Sequence, residues 1–217
     1  MTLGLQPEHA LLNDANPHLI NFYRWLKRGL RVTVQTENDE AVFYRNRERF
    51  NALRRAGKNG TQEAAALFYY LNRTGYNGLC RFNGRGEFNV PFGRYKTIAY
   101  AKSFPAFRDR FEAWEFTSGD FEAIALRPDD FVYADPPYDV QFTSYSQGGF
   151  SWADQERTAR VLAQHAGPVV LVNQATDRIE ALYRSLGYRV RFLDAPRRIS
   201  CTGDRTPAKE ILAIRNL

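Results

Sequence analysis

Two consecutive prolines at the end of an apolar run constrain this chain more than any other feature. Residues 131–134, Phe-Val-Tyr-Ala, read as a short strand, and Asp135-Pro136-Pro137-Tyr138 comes at once after it. Neither proline has an N–H to donate and both fix φ, so the chain can continue neither as a central strand nor as a helix. It must leave the sheet stiffly at the strand's C-terminal end. In open α/β sheets that edge is where ligands bind. An ordinary surface turn explains such a tetrapeptide standing alone. Its place after an apolar strand makes a site the better reading, with a carboxylate and an aromatic ring carried on a rigid loop.

Those residue types together suit one kind of chemistry. An exocyclic amine on a nucleobase is a poor nucleophile because its lone pair is delocalised into the ring. A carboxylate and a nearby backbone carbonyl can accept hydrogen bonds from that amine. They align the lone pair and stabilise the positive charge that builds as a group is transferred to it. A tyrosine face can stack on a base swung out of a duplex. Asp135 and the Pro136 carbonyl are the candidate acceptors, and Tyr138 the candidate platform.

The remainder of the chain predicts an α/β fold. Residues 10–13 form a strand ending at Asp14, and Pro17 opens a helix over 18–27 with Leu19, Ile20, Tyr23 and Leu26 at helical spacing. Residues 31–38 are linker or strand. Helices are expected over 40–56, 62–71 and 104–114, then a strand around 115–117. Ser151, with Asp154 three residues on, opens a helix to 164. Residues 168–173, Pro-Val-Val-Leu-Val-Asn, form an apolar run suited to a strand buried on both faces. A helix over 179–186 stops at Gly187, and strands over 188–193 and 210–215 close the chain. Alternating strands and helices imply a doubly wound, mostly parallel sheet.

Residues 72–95 break that rhythm with Gly75, Gly78, Gly84, Gly86, Pro91 and Gly93. Such glycine density interrupts regular elements and lets backbone approach a ligand closely. Net charge is +6 with a pI near 9.4, which favours a polyanionic partner only weakly. The distribution says more. Residues 45–58 hold six basic side chains against one acid, Glu48, and read equally as a solvated helix face or as phosphate contacts. Residues 67–96 hold five basic side chains against Glu87, interleaved with eight Phe or Tyr. That mixture suits phosphate neutralisation, base-edge hydrogen bonding and stacking together. Two cysteines, Cys80 and Cys201, make no disulfide framework and suggest a reducing compartment. His9, His18 and His165 stand apart, so no metal site is expected. The sequence has neither an apolar run of membrane-spanning length nor a basic start leading into an apolar block, so no membrane partner is expected.

Longer stretches carry a family resemblance. Residues 12–20 (Leu-Asn-Asp-Ala-Asn-Pro-His-Leu-Ile), 70–81 (Tyr-Leu-Asn-Arg-Thr-Gly-Tyr-Asn-Gly-Leu-Cys-Arg), 86–96 (Gly-Glu-Phe-Asn-Val-Pro-Phe-Gly-Arg-Tyr-Lys), the Asp135 tetrapeptide and 197–200 (Arg-Arg-Ile-Ser) resemble the Dam-type DNA adenine N6-methyltransferases over nearly the whole chain. The tetrapeptide is shared by several amino-methyltransferase groups; the two glycine-rich segments are far more specific. The resemblance implies a Rossmann-like catalytic domain that uses S-adenosylmethionine. Residues 1–30 and 113–217 would form it, interrupted by a mainly helical DNA-recognition insertion at 31–112. It also implies a bacterial or phage-encoded cytoplasmic enzyme acting on double-stranded DNA, with GATC as the candidate sequence.

Roles carry over only where residues match. Asp14 resembles the carboxylate that binds the donor's ribose hydroxyls. Asp120 and Phe121 resemble the segment beside its adenine, though Asp120 reads nearly as well as a surface loop residue, and Asp135 borders the donor as well as the amine. Arg81 resembles the arginine that reads a guanine, in keeping with bidentate recognition of O6 and N7. Tyr76 resembles a wedge into the duplex. Arg73, Asn77, Leu79 and Pro91 fall at positions near the DNA, while Arg94 and Lys96 suit phosphate contacts.

Family members begin with a strand leading into a Phe-x-Gly-x-Gly loop, and residues 1–5 resemble the positions just after that loop. The expectation is that the first strand, the glycine loop and its lysine are missing, so that this chain alone methylates weakly or not at all. A coding sequence that begins upstream accounts for the absence equally well. Phe82-Asn83-Gly84-Arg85-Gly86 fits the glycine pattern literally but neither comes after a strand nor opens a helix, and it reads as recognition loop. Two other functions stay open. One is a catalytically inactive DNA-binding remnant. The other is amino methylation of RNA or of a protein glutamine, which fits less well because glutamine enzymes usually carry Asn before the prolines.

Overall fold

Asn16 fixes where the first long helix begins. Its side chain accepts hydrogen bonds from the N–H groups of His18 and Leu19, and Pro17, which needs no acceptor, takes the first helical position. The computed structural model in which this is seen describes residues 1–139, 149–195 and 208–217. The expected Arg197–Ser200 motif and Cys201 lie outside the described residues. The chain divides into two units, Met1–Phe121 and Glu122–Leu217.

The first unit begins with a short helix, α1 (Thr2–Leu5), then β1 (Ala10–Asp14) and α2 (Pro17–Lys27). Helices α3 (Glu40–Arg55), α4 (Gln62–Thr74) and α5 (Pro105–Arg110) precede β2 (Trp114–Ser118). Asp39 and Thr61 cap α3 and α4 through their side-chain oxygens, with Glu40 and Glu63 in the first turns facing the positive end of each helix. β1 and β2 pair in parallel, Ala10 opposite Trp114 and Asp14 opposite Ser118. The apolar faces meet in two clusters. One joins Phe43, Phe50 and Leu53 of α3 to Leu67 and Leu71 of α4 and to Phe88 and Val90 of the glycine-rich segment. The other joins Ile20 and Leu26 of α2 to Ala65 and Ala66 of α4 and to Phe111, Trp114 and Phe116. α4 thus serves both cores. The segment expected to read DNA is thereby built onto the same helix that supports the parallel pair.

The second unit runs β3 (Val132–Ala134), α6 (Trp152–Ala163), β4 (Val169–Gln174), α7 (Asp177–Ser185), β5 (Arg189–Ala195) and β6 (Ala208–Arg215). Its sheet has the order β3-β4-β6-β5. β3 and β4 are parallel, whereas β6 runs antiparallel to both β4 and β5. Each unit therefore has a parallel pair, but the sheet of the second is mixed rather than mostly parallel. Val169, Leu171 and Val172 are buried, as the apolar run demands. Ser151 and Asp154 form the expected capping box at α6.

Three local expectations shift. Residues 31–38 make only an isolated bridge, Arg31 to Ser103. α4 runs three residues past Leu71. The helix expected to Trp114 ends at Arg110, because Trp114 is needed in β2, where its indole donates to the Pro7 carbonyl at 3.0 Å.

Candidate active site

The proline pair does what its chemistry requires: β3 stops at Ala134, and Asp135 to Asp139 leave the sheet at its C-terminal end. Asp135 is exposed and Tyr138 partly buried. Desolvation, and then the Glu210 carboxylate, hold the Asp135 carboxyl above the usual carboxylate value. Tyr138 donates its hydroxyl to Glu210 Oε1 at 3.0 Å. Desolvation first, and then the neighbouring Asp135, push that phenol well above the ordinary tyrosine value.

A buried polar clamp fixes the loop from beneath. Asn173, the fully buried polar side chain of β4, accepts from the Asp139 N–H at 2.9 Å and from the Gln174 N–H at 2.8 Å. Its amide donates to Gln155 Oε1 at 2.9 Å and to the Tyr183 hydroxyl at 3.3 Å. Gln155, on the inner face of α6, donates in turn to the Pro137 carbonyl at 2.7 Å. Asp139 is buried as well and binds the Arg178 guanidinium through two nitrogens and the Thr176 hydroxyl at 3.0 Å. Arg178 also lies over the Trp152 ring at 4.6 Å. Burial pushes the Tyr183 hydroxyl up to about 12, so it stays protonated within this network. The loop is thus tied to β4, α6 and α7, and Asp135 and Tyr138 project from a rigid base.

Sequence reading found the loop and missed its support. Asn173 is a polar residue closing an apolar strand run, and Gln155 shares a helical face with Thr158, Ala159 and Leu162. Polar residues at such core-facing positions were the available signal. Glu210 carries none: it looks like any charged residue near a strand end.

In the first unit, Asp14 ends β1 beside the loop that comes after β2. Its Oδ1 accepts from the Asn16 N–H at 2.7 Å, and its backbone carbonyl accepts from the Ser118 hydroxyl at 3.1 Å and the Gly119 N–H at 3.3 Å. Asn13 donates to the Gly119 carbonyl at 3.1 Å. Desolvation raises the Asp14 carboxyl above its usual value, against the lowering pull of the Asn16 N–H. Among the described residues Oδ2 has no hydrogen-bond partner. A half-buried carboxylate with one occupied oxygen, at the C-terminal edge of a parallel pair, fits the hydroxyls of a nucleoside. Asp120 lies in the same loop, exposed, and Phe121 opens a 3-10 turn. Asp14 and Asp120 belong to the first unit and Asp135, Pro136 and Tyr138 to the second.

The glycine-rich segment is ordered by its own bonds. Tyr76 to Gly78 form a 3-10 turn in which Asn77 takes a left-handed φ of 52°. The Tyr76 N–H is held by the Pro91 carbonyl at 2.9 Å while its ring is exposed. Arg81 is exposed, its Nε 2.9 Å from Asn89 Oδ1 and its Nη2 3.2 Å from the Asn89 carbonyl. Arg73 donates to the Ala99 carbonyl at 3.2 Å; Arg94, at a φ of 49°, and Lys96 are exposed, with Glu40 3.8 Å from Arg94. Leu79 is buried in the core with Leu71, Phe88 and Val90, because a branched aliphatic chain gains more there than at a polar surface. The glycine decoy is a turn, with Asn83 Oδ1 accepting from the Arg85 and Glu87 N–H groups and Phe82 bridging Phe88. A side chain at Gly86, whose φ is +73°, would strike the Arg54 guanidinium.

Much of the basic run 45–58, though exposed, is paired within the protein. Arg49 pairs with Glu63, Arg55 with Glu48 and Glu87, and Arg47 donates to the Val90 carbonyl at 3.1 Å and covers Tyr44. Beneath it His18, stacked on Phe82 at 5.1 Å, is held to a pKa of about 4 by desolvation and then by Arg54, so it is neutral at physiological pH. No group of side chains suited to a metal ion occurs among the described residues, and no helix there is long and apolar enough to cross a membrane.

The second unit carries a rigid loop with a carboxylate and a ring at the end of β3, and the first a half-buried carboxylate at the end of β1. The model of the D12 class N6 adenine-specific DNA methyltransferases matches residues 1–195, and the chain belongs to that family. It is 36% identical to the DNA N-6-adenine-methyltransferase of Escherichia phage P1, over 95% of this chain and 29% of that protein. It is 35% identical to the retron Ec67 DNA adenine methylase of Escherichia coli, covering 94% of this chain and 75% of the relative. A DNA adenine methylase of Vibrio cholerae is 34% identical over 95% of this chain and 80% of its own length. The chain thus spans under a third of the phage protein and three quarters or more of the other two.

Proposed function

We propose that this chain is a site-specific DNA adenine N6-methyltransferase that transfers the methyl group of S-adenosylmethionine to an adenine flipped out of duplex DNA, with GATC as the candidate target. The observation that supports it most is the projection of Asp135 and Tyr138 from a clamped, proline-stiffened loop at the end of β3. The bound donor supplies a methyl group already activated on a sulfonium. Asp14 would hold ribose hydroxyls, with Asp120 and Phe121 beside the donor's adenine. Asp135, ionised, and the Pro136 carbonyl would accept hydrogen bonds from the substrate amine and stabilise its growing positive charge. Tyr138 would stack on the extruded base.

Within the glycine-rich segment, Arg81 would read a guanine edge and Tyr76 would wedge into the stack, with Asn77 and Pro91 close to the bases. Arg73, Arg94 and Lys96 would contact phosphates, while Leu79 supports this surface from the core. The division into catalytic parts at 1–30 and 113–217 and a recognition insertion at 31–112 belongs to the same proposal. So does a doubly wound sheet, supported by two parallel crossovers that each carry helix, β1 to β2 and β3 to β4.

The test is transfer of labelled methyl from S-adenosylmethionine to duplex DNA, with the product digested by a methylation-sensitive restriction enzyme. Label in DNA together with altered cutting supports the enzyme reading, and robust label from residues 1–217 overturns the expectation that this chain alone methylates weakly or not at all. Duplex binding without label would favour the non-catalytic DNA-binding reading, and label in RNA or protein but not DNA would sink both.

A further inference from the structure

Glu210 belongs to none of the motifs that carry the family resemblance, yet it is the side chain that meets Tyr138. It sits in β6, opposite Gln174 of β4 and Leu193 of β5, neither of which carries charge. Among the described residues, the titratable groups that feel its carboxylate come from β3 and the loop after it: Tyr133, Asp135 and Tyr138. A tyrosine that serves as a stacking platform swings about its Cα–Cβ bond unless its far end is held. Here the far end is held, by the 3.0 Å bond from the hydroxyl to Glu210 Oε1. At 3.0 Å it has the length of an ordinary hydroxyl hydrogen bond. The negative charge of Glu210 also keeps the phenol protonated and donating.

We propose that Glu210 is a positioning residue of the methylation site: by accepting the Tyr138 hydroxyl it fixes where the ring lies against which the flipped adenine stacks. This rests on the methyltransferase reading of the loop. Glu210 does not touch the base. It acts through Tyr138, and its charge beside Asp135 adds to the negative field that the methylated amine meets.

The experiment separates the contact from the activity. Tyrosine labelled at the ζ carbon is incorporated into the full chain and into Glu210→Gln, and the Tyr138 resonance is identified by its loss in Tyr138→Phe. In the parent protein the Tyr138 signal should remain that of a phenol to well above the ordinary tyrosine pKa of about 10. In Glu210→Gln, which keeps an acceptor of the same shape, its midpoint should fall by about one unit or more. Methyl transfer by Glu210→Gln should show a lower kcat with an unchanged KM for DNA. In a Tyr138→Phe background the same substitution should have no further effect on stacking, read from the fluorescence of 2-aminopurine placed at the target adenine.

Identical Tyr138 titration in the parent and in Glu210→Gln overturns the proposal, whether or not the protein methylates. An equal fluorescence loss on Glu210→Gln with and without the Tyr138 hydroxyl overturns it too. A shifted titration with no methyl transfer by the parent protein instead counts against the enzyme reading and leaves the contact standing.

Discussion

At the scale of single residues, the decisive conflict is at Asp135. Ionised, it serves as the acceptor for a substrate amine, yet desolvation and Glu210 both oppose its ionisation. A carboxyl whose folded pKa lies above its unfolded value favours the folded state below that unfolded value, near 3.8, and the advantage is lost as pH rises through the folded value. At neutral pH the charged form is therefore the less favoured one, an effect that solvent screens in part at so exposed a residue. Asp135→Asn should raise the unfolding temperature at pH 7 relative to the parent, and the gain should vanish below the ordinary aspartate range. The same variant should lose methyl transfer on the order of 100-fold or more, as when one preorganised group facing developing charge is removed. Calorimetry at two pH values and a single-turnover methylation assay check both halves. A variant equally stable at both pH values would count against the strained carboxylate.

At the scale of elements, the site is a matter of what lies beneath the loop. The proline pair, the apolar strand before it and the cap of α6 were legible because each arises from local chemistry: missing N–H groups, a continuous apolar run, a Ser with an Asp three residues on. Polar Asn173 and Gln155 at core-facing positions hinted at the clamp, but its contacts were not legible, since Gln155, Asn173 and Asp139 are far apart in sequence and meet only when α6, β4 and the loop pack. The same reason hid the antiparallel β6, because strand direction depends on tertiary pairing and not on local pattern. It also hid the burial of Leu79, whose neighbours in sequence are polar and glycine-rich while its neighbours in space are Leu71 and Phe88. Asn173→Ala strips the partners of the Asp139 N–H, the Gln155 amide oxygen and the Tyr183 hydroxyl at once. Leaving buried groups unsatisfied costs about 1–3 kcal/mol. Urea unfolding should show that loss, and Tyr183→Phe, which removes one 3.3 Å bond, should cost less. Equal costs for the two would mean the network does not converge on Asn173.

For the whole molecule, the count of 30 Lys and Arg overstates what is available to a polyanion. Arg49 and Arg55 are committed to Glu63, Glu48 and Glu87, and Arg47 to the Val90 carbonyl and Tyr44, so much of the charge on α3 secures helix to helix and helix to loop. Arg94 and Lys96, by contrast, are exposed at the far end of the glycine-rich segment, and the one acid near Arg94 is 3.8 Å away. Each cation that displaces counterions from duplex DNA steepens the fall of log affinity with log salt by about 0.9. Arg94→Ala and Lys96→Ala should each flatten that slope by about this amount, weakening binding to every sequence alike. Arg49→Ala should leave the slope unchanged, because its guanidinium already answers Glu63. Arg81→Ala should differ from both: exposed but braced by Asn89, it should relax discrimination at one base more than it alters the slope. Fluorescence anisotropy across a salt series, on cognate and substituted duplexes, separates the three behaviours. A slope that falls for Arg49→Ala but not for Arg94→Ala would place the DNA on α3 and overturn this division of charge.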